Sequence, residues 1–235
     1  PSIRYPDPMP LMGIDVGTSG TKALILSDDG RLLAHASAPT PLLTPKPLWT
    51  EQDPEHWWDA VGHASRLALA NASLRPADIR AVGLSGQMHG SVFLDRHGLS
   101  GAPALRPALL WNDQRTADFL EPIELAAGGR AELVRRTGNA ALTGFQLPKL
   151  LWFRHHEPHL FRNLAAVLLP KDFIRLRMTD VLATDVGDAG GTLALDVHQR
   201  RWDAPLLHAL DLDPALFPPL LESAQIAGTD RKRVV

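Results

Sequence analysis

Short apolar runs separated by polar turns fill the first third of the chain. The run LMGIDVG at 11–17 predicts a short buried strand. The residues TKALILSDDGRLLAHASAP, 21–39, predict two more strands around Asp28-Asp29-Gly30, because an Asp-Gly pair between apolar runs is a strong hairpin signal. The chain is therefore predicted to open with antiparallel strands instead of a strand–helix–strand unit.

A helical period replaces this pattern after a proline-rich loop. Asp53 followed by Pro54 is typical of a helix start, with an N-cap side chain and proline at the first helical position. The apolar residues that follow lie close to one stripe of a helix, and this predicts a helix over 54–72. The stripe consists of Trp57, Trp58, Val61, Ala64, Leu67 and Ala68.

The remaining pattern predicts a mixed α/β core with helical insertions. The segment 79–87 predicts a buried strand, 91–98 the start of another hairpin, and 107–113 a short strand that ends in polar residues. After Gln114 the spacing of apolar residues becomes mostly helical. Helices are predicted within 115–127, 129–137, 147–158 and 171–179, with one strand within 165–170.

Composition changes this picture only by exclusion. The 235 residues are 45% hydrophobic and 21% charged, which is ordinary for a globular protein. The net charge of -2 gives no general attraction to nucleic acid, and the lack of cysteine excludes disulfides and thiolate metal sites. No apolar run reaches the ~18 residues of a membrane span, and the proline-rich start is no secretory signal. We expect a cytoplasmic protein without nucleic-acid or membrane partners.

The stretch GIDVGTSGTK, 13–22, is the first candidate site. It lacks the glycine spacing of a Walker A loop and of a dinucleotide-binding fingerprint. Asp15 ends a strand and could hold a hydrated Mg²⁺, while the backbone and hydroxyl groups of Gly17, Thr18 and Ser19 could bond phosphate. A glycine-rich hairpin turn with a surface aspartate is the alternative.

A second glycine-rich turn, GLSGQMHGS at 83–91, also follows a predicted strand. Gln87 and His89 can form hydrogen bonds with hydroxyl groups, and Met88 can pack on an apolar ligand face. Taken alone, the segment favours a simple strand turn carrying a solvated histidine.

The third candidate, LLWNDQR at 109–115, combines an aromatic ring with hydrogen-bonding groups. Trp111 beside Asn112 and Asp113 suits a sugar or polyol. The alternative is a core tryptophan with Asp113 as the cap of a helix that begins near Arg115. The two roles are compatible with each other.

Two other segments attract attention. TDVGDAGGTLALD, 184–196, could shape a wall of a ligand cleft or form a turn between helix and strand. His155-His156 with His159 suggests a metal cluster, but adjacent residues diverge by ~100° on a helix and Pro158 interrupts the stretch. A histidine metal site is therefore not favoured.

Together these segments resemble the FGGY family of carbohydrate kinases, in which similar motifs occur in the same order. The resemblance covers about residues 11–228 and is strongest to members that phosphorylate xylulose. SGQMHG and LLWNDQR in combination are its most specific motifs. The set comprises GIDVGTSGTK, LWTEQDPEHWW, GLSGQMHG, LLWNDQRT, GFQLPKLLW, LLPKDFIRLRMT and TDVGDAGGTLALD.

The resemblance implies a fold, a reaction and a set of site residues. The fold would be of the ribonuclease-H-like or actin-like ATPase type, with a mixed five-stranded sheet, helices on both faces and a helical insertion. ATP and Mg²⁺ would be the cofactors, and D-xylulose would receive the γ-phosphoryl group on its 5-hydroxyl. Asp15 would organise Mg²⁺ and the phosphates, and Gly17, Thr18 and Ser19 would line the phosphate loop. The sugar contacts would be Met88, His89, Trp111 and Asn112, where the first pair differs from the Arg-Glu pair of glycerol kinases.

The resemblance also implies a domain division. Residues 1–10 would be a leader, 11–228 the N-terminal domain, and 229–235 a basic tail or truncation edge. Family members carry a second domain with the catalytic aspartate base and most of the adenine site, and we expect that domain to be absent here. The chain alone is then expected to have little kinase activity, because half a cleft cannot align ATP with the sugar.

Two alternatives to a xylulose-specific kinase stay open at this point. The chain could belong to a kinase for gluconate, ribulose or another pentulose. It could be a non-catalytic module that binds sugar weakly or interacts with a partner protein. Family members often form homodimers, so a homodimer is compatible with the resemblance.

Overall fold

The computed structural model describes residues 9–231 as a mixed α/β structure. Most of the leader expected over 1–10 and part of the tail expected over 229–235 lie outside the described residues. The strands are β1 Leu11–Val16, β2 Gly20–Leu26, β3 Leu32–Pro39, β4 Glu51–Gln52, β5 Ala81–Gly86, β6 Val92–Leu94, β7 Ala108–Leu109, β8 Ala166–Leu168, β9 Thr184–Asp185, β10 Leu195–Asp196, β11 Arg201–Trp202 and β12 Leu220–Leu221. The α-helices are α1 Pro54–Ala72, α2 Leu120–Ala126, α3 Arg130–Thr137, α4 Gln146–His156, α5 Pro158–Phe161, α6 Pro170–Thr179, α7 Val186–Ala189 and α8 Ala204–Ala209.

The central sheet has the strand order β3-β2-β1-β5. Neighbours among β1, β2 and β3 are antiparallel, and Gly30, with a φ of 81°, lies in the turn between β2 and β3. β5 runs parallel to β1 on its other side. The predicted antiparallel opening is confirmed, and the sheet is mixed as expected. Its described part has four strands where five were expected, because the other short strands pair among themselves in two-stranded ladders.

One face of this sheet carries the main hydrophobic core. Met12, Ile14 and Val16 alternate along β1 and are buried, since successive side chains of a strand point to opposite faces. α1 and α6 both pack into this core. On the opposite face Leu24 is 38% exposed. α1 and α6 therefore share one face of the sheet.

β5 is an edge strand and not the buried strand that its apolar sequence predicted. β1 is its neighbour within the sheet, and its residues alternate between exposed and partly exposed positions. Val82 and Leu84 pack against the core, whereas Ala81 and Gly83 face the open side. An edge position leaves one flank of the backbone without a sheet partner, and this explains the difference.

α1 has the bounds predicted for it. The Asp53 side chain accepts a hydrogen bond from Glu55 N at 3.0 Å and caps the helix as expected. Trp57 is fully buried on the predicted stripe. Leu67 departs from the prediction and is 41% exposed. It lies ten residues after Trp57, and at ~100° per residue this rotates it to the edge of the buried face.

A second hydrophobic core joins the helical second half to β6 and β8. Phe93 of β6 stacks on Phe153 of α4 with 4.2 Å between ring centroids. The hairpin expected to start at 91–98 contributes only a single bridge between Ser91 and Leu109, and the ladder partner of β6 is β8. The segment 95–107 contains two prolines, which lack N–H groups, so apolar β8 is the better partner.

The second half is largely helical, as predicted. α2, α3, α4 and α6 fall in the four predicted segments, and β8 falls in the predicted strand at 165–170. Within residues 9–231, no helix combines the length and apolar character that crossing a membrane requires.

Candidate functional site

Two polar loops leave the central sheet side by side because they follow parallel neighbouring strands. Residues 17–19 follow β1 and residues 87–90 follow β5, and the carboxyl ends of parallel neighbours meet at one edge. Gln87 N donates to Val16 O at 2.8 Å. The Thr18 hydroxyl donates to Gln87 Oε1 at 3.1 Å. The first two candidate motifs therefore form one continuous surface.

Trp111 brings the third motif to the same place. Its indole Nε1 donates to Thr18 Oγ1 at 3.0 Å, and the residue is 45% exposed. The Thr18 hydroxyl thus accepts from Trp111 while it donates to Gln87. An exposed aromatic ring is held against the glycine-rich loop.

Gln52 is a buried junction of this network that sequence reasoning missed. Its Nε2 donates to Thr18 O at 2.8 Å, and its Oε1 accepts from Gln87 Nε2 at 2.9 Å and from Trp57 Nε1 at 3.0 Å. The side chain is fully buried, so each of its polar atoms requires a partner. Its one sequence signal is an amide just before a capped helix, which is too common to single it out.

The glycine-rich loop has backbone N–H groups that are free to bind an anion. Gly17 N donates to Gly20 O at 3.2 Å, whereas in the described chain no backbone or side-chain acceptor takes the N–H groups of Thr18 and Ser19. A Cβ at Gly20 would lie 2.5 Å from Ala38 O, so only glycine allows β3 to approach this closely. Neighbouring free N–H groups are a typical binding element for phosphate.

Asp15 lies beside this loop at the end of β1. It is half-buried, and its ladder neighbours are Lys22 on β2 and Ser85 on β5. Among residues 9–231, no side-chain hydrogen bond or ion pair engages its carboxylate. No group of three or more His, Asp or Glu side chains in this part of the chain could hold a metal ion unaided. A lone free carboxylate suits Mg²⁺, which usually keeps several waters and takes one or two carboxylates together with phosphate oxygens.

His89 is held in an unusual conformation at the next loop. Its φ is 61°, in the left-handed region, and Gly90 N donates to Met88 O across it at 2.8 Å. Its Nδ1 lies 2.6 Å from Gly191 O in the predicted 184–196 segment. Because a carbonyl oxygen only accepts, Nδ1 carries the proton and donates.

The imidazole of His89 is neutral at neutral pH. Burial is the main cause that lowers its pKa below the usual 6.5, and the nearby Lys149 charge lowers it further against the opposing hydrogen bond to Gly191. With Nδ1 protonated, Nε2 is left as a hydrogen-bond acceptor. The ring packs edge-on against Phe145, with 4.7 Å between centroids.

Asn112 and Asp113 are held in place by a largely buried network of hydrogen bonds and ion pairs. Asn112 Oδ1 accepts from the Thr50 hydroxyl at 2.8 Å, and Asp113 Oδ2 accepts from Thr50 N at 2.8 Å. Asp113 also forms an ion pair of 2.7 Å with Arg115, whose guanidinium lies 3.7 Å from the ring centroid of Trp49. Asp113 Oδ1 also accepts from Arg115 N at 3.0 Å, which is the hydrogen bond expected of a cap. The next helical turn begins only at residue 117, with Thr116 directly before it, so Asp113 caps the turn at Arg115 and not a helix.

The remaining predicted residues differ in exposure and in their neighbours. Met88 is 54% exposed at the rim of the loop. His156 stacks on Trp152 with 5.0 Å between ring centroids, and His155 contacts His156 edge-on at 4.8 Å. The two histidines thus pack with aromatic side chains of the second core.

The mixed sheet, with an antiparallel meander extended by a parallel strand, is built like kinases of the actin-like ATPase fold. Residues 11–235 match the N-terminal domain of the FGGY family of carbohydrate kinases. The chain therefore belongs to this family, as the resemblance in the sequence implied.

Individual relatives agree with this assignment. The xylulose kinase of Escherichia coli (strain K12) is 43% identical over 217 residues, which are 92% of this chain and 43% of that protein. The xylulose kinase of Klebsiella pneumoniae is 42% identical over 223 residues, 95% of this chain and 44% of that protein. A solved xyloylose kinase structure from Brucella ovis has a TM-score of 0.87 at 35% identity and covers 96% of this chain and 45% of its own. The chain thus spans less than half the length of these relatives.

Proposed function

We propose that this chain is the sugar- and phosphate-binding half of an ATP-dependent kinase that acts on the 5-hydroxyl of D-xylulose. The hydrogen bonds from Trp111 to Thr18 and from Thr18 to Gln87 carry the proposal, because they bring a phosphate-binding loop and a polar, aromatic surface into one network. The xylulose kinases among its relatives, at 35–43% identity, support the choice of sugar.

The chain's own groups fit a magnesium nucleotide. Asp15 would hold Mg²⁺ through water or directly, and the free N–H groups of Thr18 and Ser19 would bond the phosphate tail, with Gly17 giving it room to approach. Lys22, opposite Asp15 in the ladder, would add a positive charge on the same face. ATP supplies the phosphoryl group, and Mg²⁺ neutralises charge on the phosphates. The Thr18 hydroxyl is already used by Trp111 and Gln87, so it supports the loop instead of contacting phosphate.

The sugar contacts follow from the atoms that are left free. His89 Nε2 would accept a hydrogen bond from a sugar hydroxyl, since Nδ1 is committed to Gly191 O. Asn112 would donate through its amide nitrogen, since its oxygen accepts from Thr50. The exposed ring of Trp111 would lie against the C–H face of the sugar, and Met88 would cover its apolar edge.

Binding by the 235-residue chain tests this proposal. The Trp111 indole N–H signal in a ¹⁵N–¹H spectrum, assigned with Trp111→Phe, reports on the site directly. We expect D-xylulose at millimolar concentration to shift this signal, and D-gluconate and glycerol to leave it in place. A shift caused by gluconate but not by D-xylulose would make gluconate the proposed substrate in place of D-xylulose. No shift with any of the three sugars would overturn it.

A further inference from the structure

Lys149 is a fully buried residue of α4 that the proposed reaction does not use. Its Nζ donates to His89 O at 2.8 Å and to Gly144 O. Neither acceptor is charged, and Asp113 acts on the amino group only from a longer distance. A buried amine without an ion-pair partner is costly, and lysine is rarely fully buried unless paired. Because burying this amine lowers the stability of the fold, Lys149 is a candidate for a role other than stabilisation.

The first acceptor belongs to the strained turn at His89. A left-handed φ of 61° in a residue other than glycine is unfavourable, and the hydrogen bond from Gly90 N to Met88 O gives the turn the pattern of a γ-turn centred on His89. Such a conformation persists only when its surroundings hold it in place. Lys149 binds the backbone carbonyl of this turn, while Gly191 binds its ring.

The second acceptor, Gly144 O, belongs to a segment that packs against the backbone of Trp111. A Cβ at Gly144 would be 2.6 Å from Trp111 O, so this segment packs directly on the backbone of Trp111. The amino group of Lys149 therefore connects two loops. The same two loops are also joined by a hydrogen bond from Gln146 Nε2 to Gly90 O at 3.4 Å and by the contact of His89 with Phe145. One loop carries His89, and the other supports Trp111.

We propose that Lys149 is a positioning residue of the sugar site. Its amino group holds the His89 turn and the Gly144 segment at a fixed separation, and this separation sets the distance between the imidazole of His89 and the indole of Trp111. The inference rests on the proposed function for the identity of the sugar, but its geometry is independent of that identity.

The chemistry of the amine agrees with this role. Burial lowers the pKa of Lys149 from 10.5 to about 7, while the charge of Asp113 raises it and that of Arg115 lowers it. The neutral imidazole of His89 also faces the group. A neutral amine has two N–H donors, which match the two carbonyl oxygens, and the charged form has three. Both forms donate to both carbonyls, so the connection is kept across the neutral pH range.

Lys149→Met tests the proposal because it removes both donors and keeps a chain of similar length. Thr179→Val is the control, since Thr179 is a buried donor to a carbonyl, Arg175 O, in α6. For each variant we would record the His89 Cε1–Hε1 and Trp111 indole signals, the Kd for D-xylulose, the Kd for a non-hydrolysable magnesium ATP analogue, and the Tm.

We expect the K149M chain to fold with a Tm close to that of the unmodified chain, because removing a buried amine without an ion-pair partner offsets the cost of leaving two carbonyl oxygens without a donor. The His89 and Trp111 signals shift, and the Kd for D-xylulose rises by ~10-fold or more because the imidazole and the indole are no longer held at the separation that the sugar requires. The Kd for the nucleotide changes by less than ~2-fold. T179V leaves all four binding and spectral readouts unchanged.

Unchanged signals and sugar affinity in K149M would overturn the positioning role. So would a lowered Tm with an equal loss of both ligands, because that pattern assigns Lys149 to folding. If K149M does not fold, Lys149→Gln, whose shorter side chain places its amide NH2 away from the position of the Lys149 amino group, decides the question by the same two signals. Failure of the unmodified chain to bind D-xylulose would instead remove the proposed function, and the His89 and Trp111 signals would still test the role of Lys149.

Discussion

The indole Nε1 of Trp111 donates a hydrogen bond to Thr18 Oγ1 at 3.0 Å across 93 positions of the chain. Thr18 lies in the glycine-rich loop and Trp111 in the polar, aromatic loop. The same hydroxyl donates to Gln87, so one side chain is shared by all three candidate motifs. A ligand that moves one loop must therefore move or strain the others, and two ligands bound at these loops are expected to be energetically coupled.

Trp111→Phe removes this donor and keeps an aromatic ring at the site. We expect the Kd for D-xylulose to rise about fivefold, which corresponds to the ~1 kcal/mol of one hydrogen bond, and the coupling between sugar and nucleotide to weaken. Titrations of sugar with and without the magnesium ATP analogue measure both effects. Trp202→Phe is the matched control, because its indole Nε1 donates to Pro218 O at 2.8 Å in another part of the chain. Equal behaviour of the two variants would contradict the prediction.

Gly191→Ala is expected to displace the His89 ring. A Cβ at Gly191 would lie 2.6 Å from His89 Nδ1, which is closer than real Cβ contacts allow. At the adjacent Gly190 a Cβ would meet no atom within 4 Å. We expect the G191A chain to bind D-xylulose ~10-fold more weakly and the G190A chain to stay within ~2-fold of the unmodified chain, as measured by NMR titration. Similar losses in both variants would show that His89 is not the cause.

The positions of the helices and strands could be predicted from local sequence patterns, whereas the pairing of the strands could not. Asp53, Pro54 and an apolar stripe define α1, and Asp29-Gly30 defines the β2–β3 turn, because these signals act over a few residues. Nothing local distinguishes β5, an edge strand, from a buried one, and nothing local predicts that β6 pairs with β8.

The site shows the same division. Asp15 and Trp111 belong to motifs with recognisable residue types, and the sequence names them as candidates. Gln52 and Lys149 were missed because their hydrogen bonds are to carbonyl and amide groups that only the folded chain brings to them. Capping by Asp113 was a local inference, and its hydrogen bond with Arg115 N is present, whereas the long-range contact with Thr50 N could not be predicted locally.

Asp15→Asn tests the proposed magnesium role separately from sugar binding. The amide keeps the shape of the side chain and removes its charge, so we expect the gain in nucleotide affinity that Mg²⁺ provides to fall by ~10-fold or more, while affinity in EDTA stays within ~2-fold. Calorimetric titration of the ATP analogue with Mg²⁺ and with EDTA measures the ratio of the two Kd values. Asp59→Asn, at an exposed position of α1, is the control. A ratio in D15N equal to that in D59N would rule out the role.

Sugar affinity is expected to depend on pH through His89. Its pKa is lowered below the usual 6.5, so the ring is neutral at pH 7 and above, and Nε2 accepts a hydrogen bond there. As the pH falls through the lowered pKa, Nε2 gains a proton and loses its role as acceptor. The Kd for D-xylulose should therefore be nearly constant at neutral pH and above, and rise as the pH falls through the lowered pKa of His89. His89→Gln, which does not titrate, should remove this pH dependence, and a rise in Kd that persists in H89Q would assign it to another group.

Lys149 should give the stability of the chain an unusual dependence on pH. Its pKa is about 7 when folded and near 10.5 when unfolded, so between these values the unfolded chain binds one more proton than the folded chain. The sign follows from linkage: stability rises with pH wherever the unfolded state holds more protons. The penalty of the buried charge is therefore complete below pH 7 and is relieved as the pH rises from 7 toward 10.5.

Relative to K149M, the free energy of unfolding of the unmodified chain should increase by up to ~1.4 kcal/mol per pH unit in this window. Urea unfolding of both chains at several pH values above 7 measures the difference, in which the titrating groups that do not respond to the Lys149 charge cancel. A constant difference across the window would mean that Lys149 keeps an ordinary pKa despite its burial.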